Sequence, residues 1–305
     1  MSGIDVSCGL RLVVYAITIC SRKGRDVGFK VALAQMSVGS DRDENLSAAE
    51  SVITQAVQGG AKLVALPEVF QFVGDASLWI ANAETLEGPT CSKMSELARK
   101  HGIYLLAGSF LEQSEEPRRV RNTSVFYGPD GSRLAVYRKM HLFEVTLPDG
   151  VVFSEVDHTV AGDEVVTVET ELGRFGLSIC YDLRFPELYR AMMLRGVDIV
   201  LAPSAFTAFT GKDHWKLLLR ARAVENQVYM LAPNQAGRAV TGVEFYGHSL
   251  VVDPWGDVLA EGDDGPALVT AEIDVGHVAD IRRRLTALKR VRRDLIKKLS
   301  ETTSG

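Results

Sequence analysis

At 305 residues, 46% of them hydrophobic and 24% charged, the chain has the composition of an ordinary globular protein long enough to bury a large core. Its net charge of −5 and pI near 5.8 give no electrostatic reason to expect nucleic acid or a membrane surface as a partner. The four cysteines, Cys8, Cys20, Cys91 and Cys180, form no C-x-x-C pair and no finger spacing with histidine, which argues against structural zinc and a disulfide framework and for a reduced, cytoplasmic setting.

Residues 1–27 stand apart from the remainder of the chain. The apolar run LRLVVYAITIC (10–20) is shorter than the roughly 20 residues a bilayer span requires. Its basic residues Arg22, Lys23 and Arg25 come after the run, whereas a signal peptide places them before it. The stretch is therefore expected to be an N-terminal extension, disordered or an upstream start, ahead of the folded core.

From residue 28 onward strand and helix patterns alternate. KVALAQM (30–36) predicts a buried strand. DENLSAAESVITQAVQGG (43–60) then places Leu46, Ala49, Ile53, Ala56 and Val57 on one helical stripe that Gly59-Gly60 stops. KLVALPE (62–68) reads as a second buried strand, SKMSELARKHG (92–102) as a helix, and IYLLAGSF (103–110) as the strand after it. NTSVFYG (122–128) and RLAVYRK (133–139) flank the turn Pro129-Asp130-Gly131 and predict a hairpin. GRFGLSIC (173–180), the helix PELYRAMMLRG (186–196) and the strand VDIVLAPSA (197–205) come next. The helix DHWKLLLRARAVENQ (213–227) leads into the strand VYMLAPN (228–234), and HSLVVDPWGDVLAEG (248–262) makes a further hairpin. The absence of a linker, repeat or low-complexity tract between 28 and 275 favours a single α/β domain with parallel and antiparallel strands, bounded at about 276.

The tail, 277–305, differs. Val278, Ile281, Leu285, Leu288, Val291, Leu295 and Leu299 make a helical stripe whose opposite face is crowded with Arg and Lys. Such a helix can meet membranes or nucleic acid. Because the rest of the chain is acidic, docking on the body or on a partner subunit is the favoured reading.

Several chemical signatures are missing: no G-x-x-x-x-G-K-[ST], no H-E-x-x-H, and no G-x-S-x-G elbow, since GLSIC (176–180) has cysteine where the second glycine belongs. The six histidines are dispersed and support no metal site. What remains are three strand ends, each carrying a reactive group after an apolar run: Glu68, Lys139 and Cys180. Such ends can converge on one rim of an α/β sheet. A thiol, a carboxylate and an ammonium suffice for acyl transfer, as nucleophile, base and oxyanion stabiliser. Yet a lone buried cysteine is commonly inert filler, a Glu after Leu-Pro a turn residue, and a terminal Lys simply solvated. Spacing alone leaves the trio undecided.

The local words decide more. LPEVF (66–70), YRKMHLF (137–143) and CYDLRFPEL (180–188) resemble the three catalytic signatures of the nitrilase superfamily of carbon–nitrogen hydrolases, in the right order, and the resemblance continues over roughly residues 28–295. It implies a four-layer α-β-β-α sandwich, no cofactor and no metal. Glu68 would be the general base, Lys139 the oxyanion stabiliser together with the Tyr181 N–H, and Cys180 the nucleophile. The family's second glutamate falls best on Glu155 in VVFSEVDHTVAGD (151–163). Members that cleave nitriles usually carry tryptophan after the cysteine. Here Tyr181 opens C-Y-D-x-R-F-P-E, similar to the amidase branch that contains deaminated glutathione amidase and omega-amidase, which hydrolyse terminal amides of α-keto acids.

The resemblance assigns Arg184 to the substrate carboxylate, a planar fork suited to bidentate pairing. A salt bridge to Glu187 or Asp182 is the competing structural reading. Phe206 and Thr210 match further pocket positions. Asp182, Arg220, Arg222 and Glu225 are expected to be buried structural pairs, and His141 and His214 packing residues. N-carbamoyl amino-acid hydrolysis, nitrilase activity and a non-catalytic scaffold stay as alternatives. A homodimer is expected through 186–196 and the 277–299 stripe.

Overall fold

The computed structural model describes residues 28–146, 150 and 152–295. The extension at 1–27, with Cys8 and Cys20, and the end of the C-terminal stripe from 296, with Leu299, lie outside the described residues.

The chain starts with β1 (Gly28–Gln35), whose residues Ala32–Gln35 are all buried, the pattern of a strand covered on both faces. Helix α1 (Arg42–Gln58) is capped by the Asp41 carboxylate, which accepts the N–H groups of Asp43 and Glu44. β2 (Leu63–Ala65), the single turn α2 (Trp79–Asn82) and α3 (Pro89–His101) come after it. Helix α3 opens on Pro89 and stops at Gly102 in the left-handed region. Next come β3 (Tyr104–Leu106), β4 (Phe110–Gln113), β5 (Val120–Tyr127), β6 (Arg133–Arg138), and the short pair β7 (Glu144–Thr146) and β8 (Val152–Ser154). The second half contains β9 (Thr167–Thr170), β10 (Gly173–Leu177), α4 (Pro186–Leu194), β11 (Ile199–Leu201), α5 (Ala208–Asn226) and β12 (Tyr229–Ala232). It closes with β13 (Ala236–Arg238), β14 (Glu244–Tyr246), β15 (Leu250–Val252), β16 (Val258–Glu261), β17 (Ala267–Asp274) and α6 (Val275–Arg284).

Two sheets carry the architecture. One runs β17-β1-β2-β3-β5-β4 with β6 added on β5, and the other runs β16-β15-β12-β11-β10-β9. Each has a parallel centre, β1-β2-β3 and β10-β11-β12, with antiparallel strands outside it. The inner faces pack on one another: Val31, Leu33 and Leu63 share a core with Leu177, Ile199 and Leu231, and the Phe126 ring lies 5.1 Å from that of Phe175. The outer face of the first sheet is covered by Leu46, Ile53, Met94 and Leu97 of α1 and α3. The second is covered by α4 and α5 through Met192, Trp215 and Leu219. At Gly176 a Cβ would stand 2.7 Å from the Met192 sulfur, so the bare glycine lets α4 lie close. The layer order is α-β-β-α, as the sequence led us to expect.

Three local expectations change. IYLLAGSF is two strands rather than one, because Gly108 turns the chain at φ 35 where a Cβ would sit 1.9 Å from the Pro67 carbonyl oxygen. Helix α5 begins at Ala208, ahead of residue 213. The C-terminal stripe is not one helix. α6 ends at Arg284, Leu285 turns to φ −111 and ψ 94, and a short 3-10 turn covers Thr286–Arg290. Gln227 Nε2 donates to the Leu285 carbonyl at 2.8 Å, taking the acceptor that a continuing helix would use. Val278 and Ile281 are consequently buried whereas Leu285 and Leu295 are each 43% exposed.

Candidate active site

Glu68 and Cys180 each follow a central strand, β2 and β10, and each adjoins a strained residue. Val69 has φ 43 and Cys180 itself φ 46, left-handed values that non-glycine residues adopt at a cost of about 1–3 kcal/mol. Val69 is held there by Ser109 Oγ, which accepts its N–H at 2.9 Å, and Cys180 by the Pro203 carbonyl, which accepts its N–H at 3.0 Å. The thiol thus sits on a sharp strand-to-helix turn, the geometry of a nucleophile elbow without its sequence signature. Lys139 directly follows β6 and its N–H donates to the Asn122 carbonyl at 2.8 Å, next door on β5.

The side chains converge. The buried Lys139 ammonium donates to Glu68 Oε1 at 2.9 Å and to Glu155 Oε2 at 2.8 Å. Asn122 Nδ2 donates to Glu68 Oε1 at 2.9 Å, and the Ala205 N–H donates to Glu68 Oε2 at 2.7 Å. The Phe143 N–H donates to Glu155 Oε2 at 2.9 Å, which orients the second carboxylate. As the second residue of the helical turn Cys180–Arg184, Tyr181 has a backbone N–H with no intrahelical acceptor.

Burial pushes the Cys180 thiol well above its ordinary range, the Glu68 charge pushes the same way, and Lys139 opposes them. Burial alone would lower Lys139, but Glu155, Glu68 and Cys180 outweigh it and hold the ammonium far above the usual lysine value. Burial raises Glu155 as well, against the pull of Lys139. The resting group is therefore a neutral thiol facing a lysine that stays charged. Cys91 is a contrast: burial lifts its thiol to about 11, and the charges that reach it are those of Glu84, Arg133 and Glu112.

These groups line one cavity of about 500 Å³. Phe206 and Thr210 line it too, and both are buried. Arg184 stands at its wall, with its guanidinium 5.6 Å from the Tyr181 ring centroid and 5.2 Å from that of Phe206. The salt bridges weighed for Arg184 do not form. Asp182 pairs instead with His141 at 2.7 Å, and the polar contact of Arg184 is His214 Nδ1 at 3.3 Å from Nη1. No described carboxylate pairs with Arg184. Among the described residues, no group of three or more His, Cys, Asp or Glu is arranged to hold a metal ion.

The supporting residues differ in part from expectation. Asp182 is fully buried and accepts from the Tyr137 hydroxyl at 2.6 Å, the Ile179 N–H at 2.8 Å and the His141 N–H at 3.0 Å, tying the cysteine turn to the chain on both sides of Lys139. The His141 ring stacks 3.7 Å from Phe185. Arg222 pairs with Glu225 at 2.9 Å and donates to the Leu183 carbonyl at 3.0 Å. Arg220 is exposed and bonded to the Gly256 carbonyl, not a buried pair. His214 lies inside α5 and is exposed, so it neither opens the helix nor packs in the core. Sequence reasoning missed Asn122, the Ala205 N–H and the aromatic rim of Phe72 and Trp79, which line the same cavity. An asparagine opening a hairpin strand carries no signal of its own.

Residues 30–283 match the family described as carbon-nitrogen hydrolase. The chain is 39% identical over 264 residues to a deaminated glutathione amidase of Synechocystis sp., covering 86% of this chain and 97% of that protein. It is 40% identical over 267 residues to an omega-amidase of Homo sapiens, covering 88% and 96%. In fold it is similar to Saccharomyces cerevisiae Nit3, a member of branch 10 of the nitrilase superfamily, with a TM-score of 0.79, 34% identity, and coverage of 87% of this chain and 97% of that one.

Proposed function

The chain belongs to the carbon–nitrogen hydrolase family and is an amidase; from that premise we propose that it hydrolyses the terminal amide of a small carboxylated α-keto acid, such as deaminated glutathione, through a thioester on Cys180. The observation that carries this reading is the meeting of Cys180, Glu68, Lys139 and Glu155 in one cavity whose wall holds Arg184 with no carboxylate partner among the described residues.

Glu68 takes the Cys180 proton as the sulfur attacks the amide carbonyl carbon. The carbonyl π electrons move onto oxygen, and the oxyanion is met by the Lys139 ammonium and the Tyr181 N–H. Held by three donors, Glu68 is oriented to return the proton to the amide nitrogen, the C–N bond breaks, and ammonia leaves with a thioester behind it. Water then loses a proton to Glu68 and attacks the thioester. Collapse of that second tetrahedral centre breaks the C–S bond, the proton goes back to sulfur, and the product carboxylic acid ionises. Glu155 keeps Lys139 aimed. General-base assistance contributes about 10²–10⁴-fold, and one oxyanion donor about 10²–10³-fold.

Cys180→Ala should abolish ammonia release while circular dichroism and Tm stay close to wild type; substantial residual turnover would overturn the mechanism. A comparison of deaminated glutathione, α-ketoglutaramate, N-carbamoyl amino acids and nitriles tests the substrate. The identity to the human omega-amidase favours α-ketoglutaramate as the second reading. Preference for a nitrile or a carbamoyl acid would set both aside.

We also place the protein in the cytoplasm, in keeping with its free Cys91 and Cys180. No described helix is long and apolar enough to cross a membrane. Residues 28–276 form the hydrolase domain in this reading. Homodimerisation through α4 and the segment after 277 is supported by the exposed Leu285 and Leu295. Light scattering that finds only monomer would refute it.

A further inference from the structure

We propose that His214 is a positioning residue for Arg184, holding the guanidinium ready for a substrate carboxylate only while the imidazole is neutral. The inference rests on the reading of Arg184 as the carboxylate-binding group.

Arg184 leaves the turn after Cys180 and reaches α5, where its Nη1 lies 3.3 Å from His214 Nδ1. A guanidinium only donates hydrogen bonds. His214 Nδ1 must therefore present its lone pair, with the ring proton on Nε2. The Tyr181 and Phe206 rings hold the flat guanidinium at 5.6 and 5.2 Å, so His214 is the polar stay that sets its direction in the plane. The remaining N–H groups stay available for a carboxylate at the cavity wall.

Protonation reverses the contact. Nδ1 becomes a donor facing a donor, and two positive charges stand where a hydrogen bond was. Among the described residues no carboxylate pairs with either side chain; of the charged groups on the elements packed against α5, Glu244 of β14 pairs with Arg238, and Arg190 of α4 pairs with neither Arg184 nor His214. On α5 the residues that share the face of His214, at three and four positions away, are Thr210, Gly211, Leu217 and Leu218, all uncharged. Lys212, Asp213 and Lys216 lie on other faces of the helix. From the cysteine turn, Asp182 is turned to His141 and Tyr137. Glu187, at the start of α4, pairs with neither Arg184 nor His214 among the described residues.

The test compares succinamate, which carries a carboxylate, with butyramide, which does not, from about pH 8 to about pH 5.5. In the wild type KM for succinamate should rise about 3- to 10-fold toward low pH, the worth of one lost hydrogen bond, with kcat little changed and butyramide showing no such trend. His214→Ala should lower the succinamate-to-butyramide ratio of kcat/KM by a similar factor at pH 8 and flatten its pH dependence. His214→Asn, which keeps an acceptor near the Nδ1 position and cannot take up a proton, should restore the pH 8 ratio and hold it at low pH. A purely structural role would shift Tm without changing the ratio. If Arg184→Ala collapses the ratio while His214→Ala leaves it at the wild-type value, the role of His214 falls and that of Arg184 stands. If Arg184→Ala also leaves the ratio intact, both fall.

Discussion

Lys139 is a buried ammonium whose charge is kept by two carboxylates, and its contribution can be separated from theirs. On the proposed mechanism Lys139→Gln removes an oxyanion donor and leaves Glu68 and Glu155 facing each other without a cation, so kcat should fall by about 10²–10³-fold with the loss persisting at every pH. Glu155 offers a signed prediction. Its folded value is raised by burial, so it becomes neutral at a higher pH than an ordinary glutamate, and Lys139 then loses one of its two anionic partners. The acid limb of kcat should therefore begin above the ordinary carboxylate range, and Glu155→Gln should mimic the low-pH state with a depressed kcat that no longer follows that limb. A limb that stays unmoved in Glu155→Gln would assign it to another group. Between the two described thiols, iodoacetamide treatment and peptide mass analysis should label Cys180 and spare Cys91, whose thiol is buried and lifted to about 11 by that burial.

At the scale of elements, the site depends on two loops that approach within atomic contact. Gly108, between β3 and β4, lies against Pro67, and Pro67 places Glu68. Gly108→Ala would thrust a methyl into the Pro67 carbonyl from a left-handed backbone, so stability should fall by about 1–3 kcal/mol or more and kcat should drop with it as Glu68 shifts. Thermal unfolding and steady-state kinetics read the two effects. An unchanged kcat would mean that the Glu68 loop is set by Ser109 and Gln235 alone, which bond Val69 and the Glu68 carbonyl. The turn after β10 is secured differently: Asp182 bonds both sides of Lys139, so the cysteine and the lysine move as one unit.

For the whole molecule, the last strand lies beside the first. β17 runs antiparallel to β1 over its full length, from Gly28 opposite Asp274 to Gln35 opposite Ala267. Ending the chain before residue 267 would leave β1 as an uncovered apolar edge, the kind of edge that invites aggregation. That truncation should yield insoluble protein. Ending it after Leu285 keeps β17 and α6 and should fold with an unaltered far-ultraviolet spectrum, while light scattering tests the proposed part of the tail in a dimer. A soluble, active protein lacking 267–305 would contradict the role given to β17.

The helix stripes, the central strands and the strand-end positions of Glu68, Lys139 and Cys180 were all legible in the chain, because apolar periodicity and short words such as CYDLRFPEL are written within a few residues of one another. Glu155 was legible only through its distance from Ala161-Gly162-Asp163. Asn122, the Ala205 N–H, the four bonds to Asp182 and the His214 contact of Arg184 were not. Each joins residues separated by many positions and arises only when the two sheets stack and bring their strand ends to one cavity. The end of α6 was hidden for the same reason: its periodicity continues past Leu285, but a side chain from α5's C-cap claims the carbonyl there. Local pattern specified which elements form and which reactive groups end them. Packing decided the distances between those groups, because hydrogen bonds across a fold depend on where the backbone arrives.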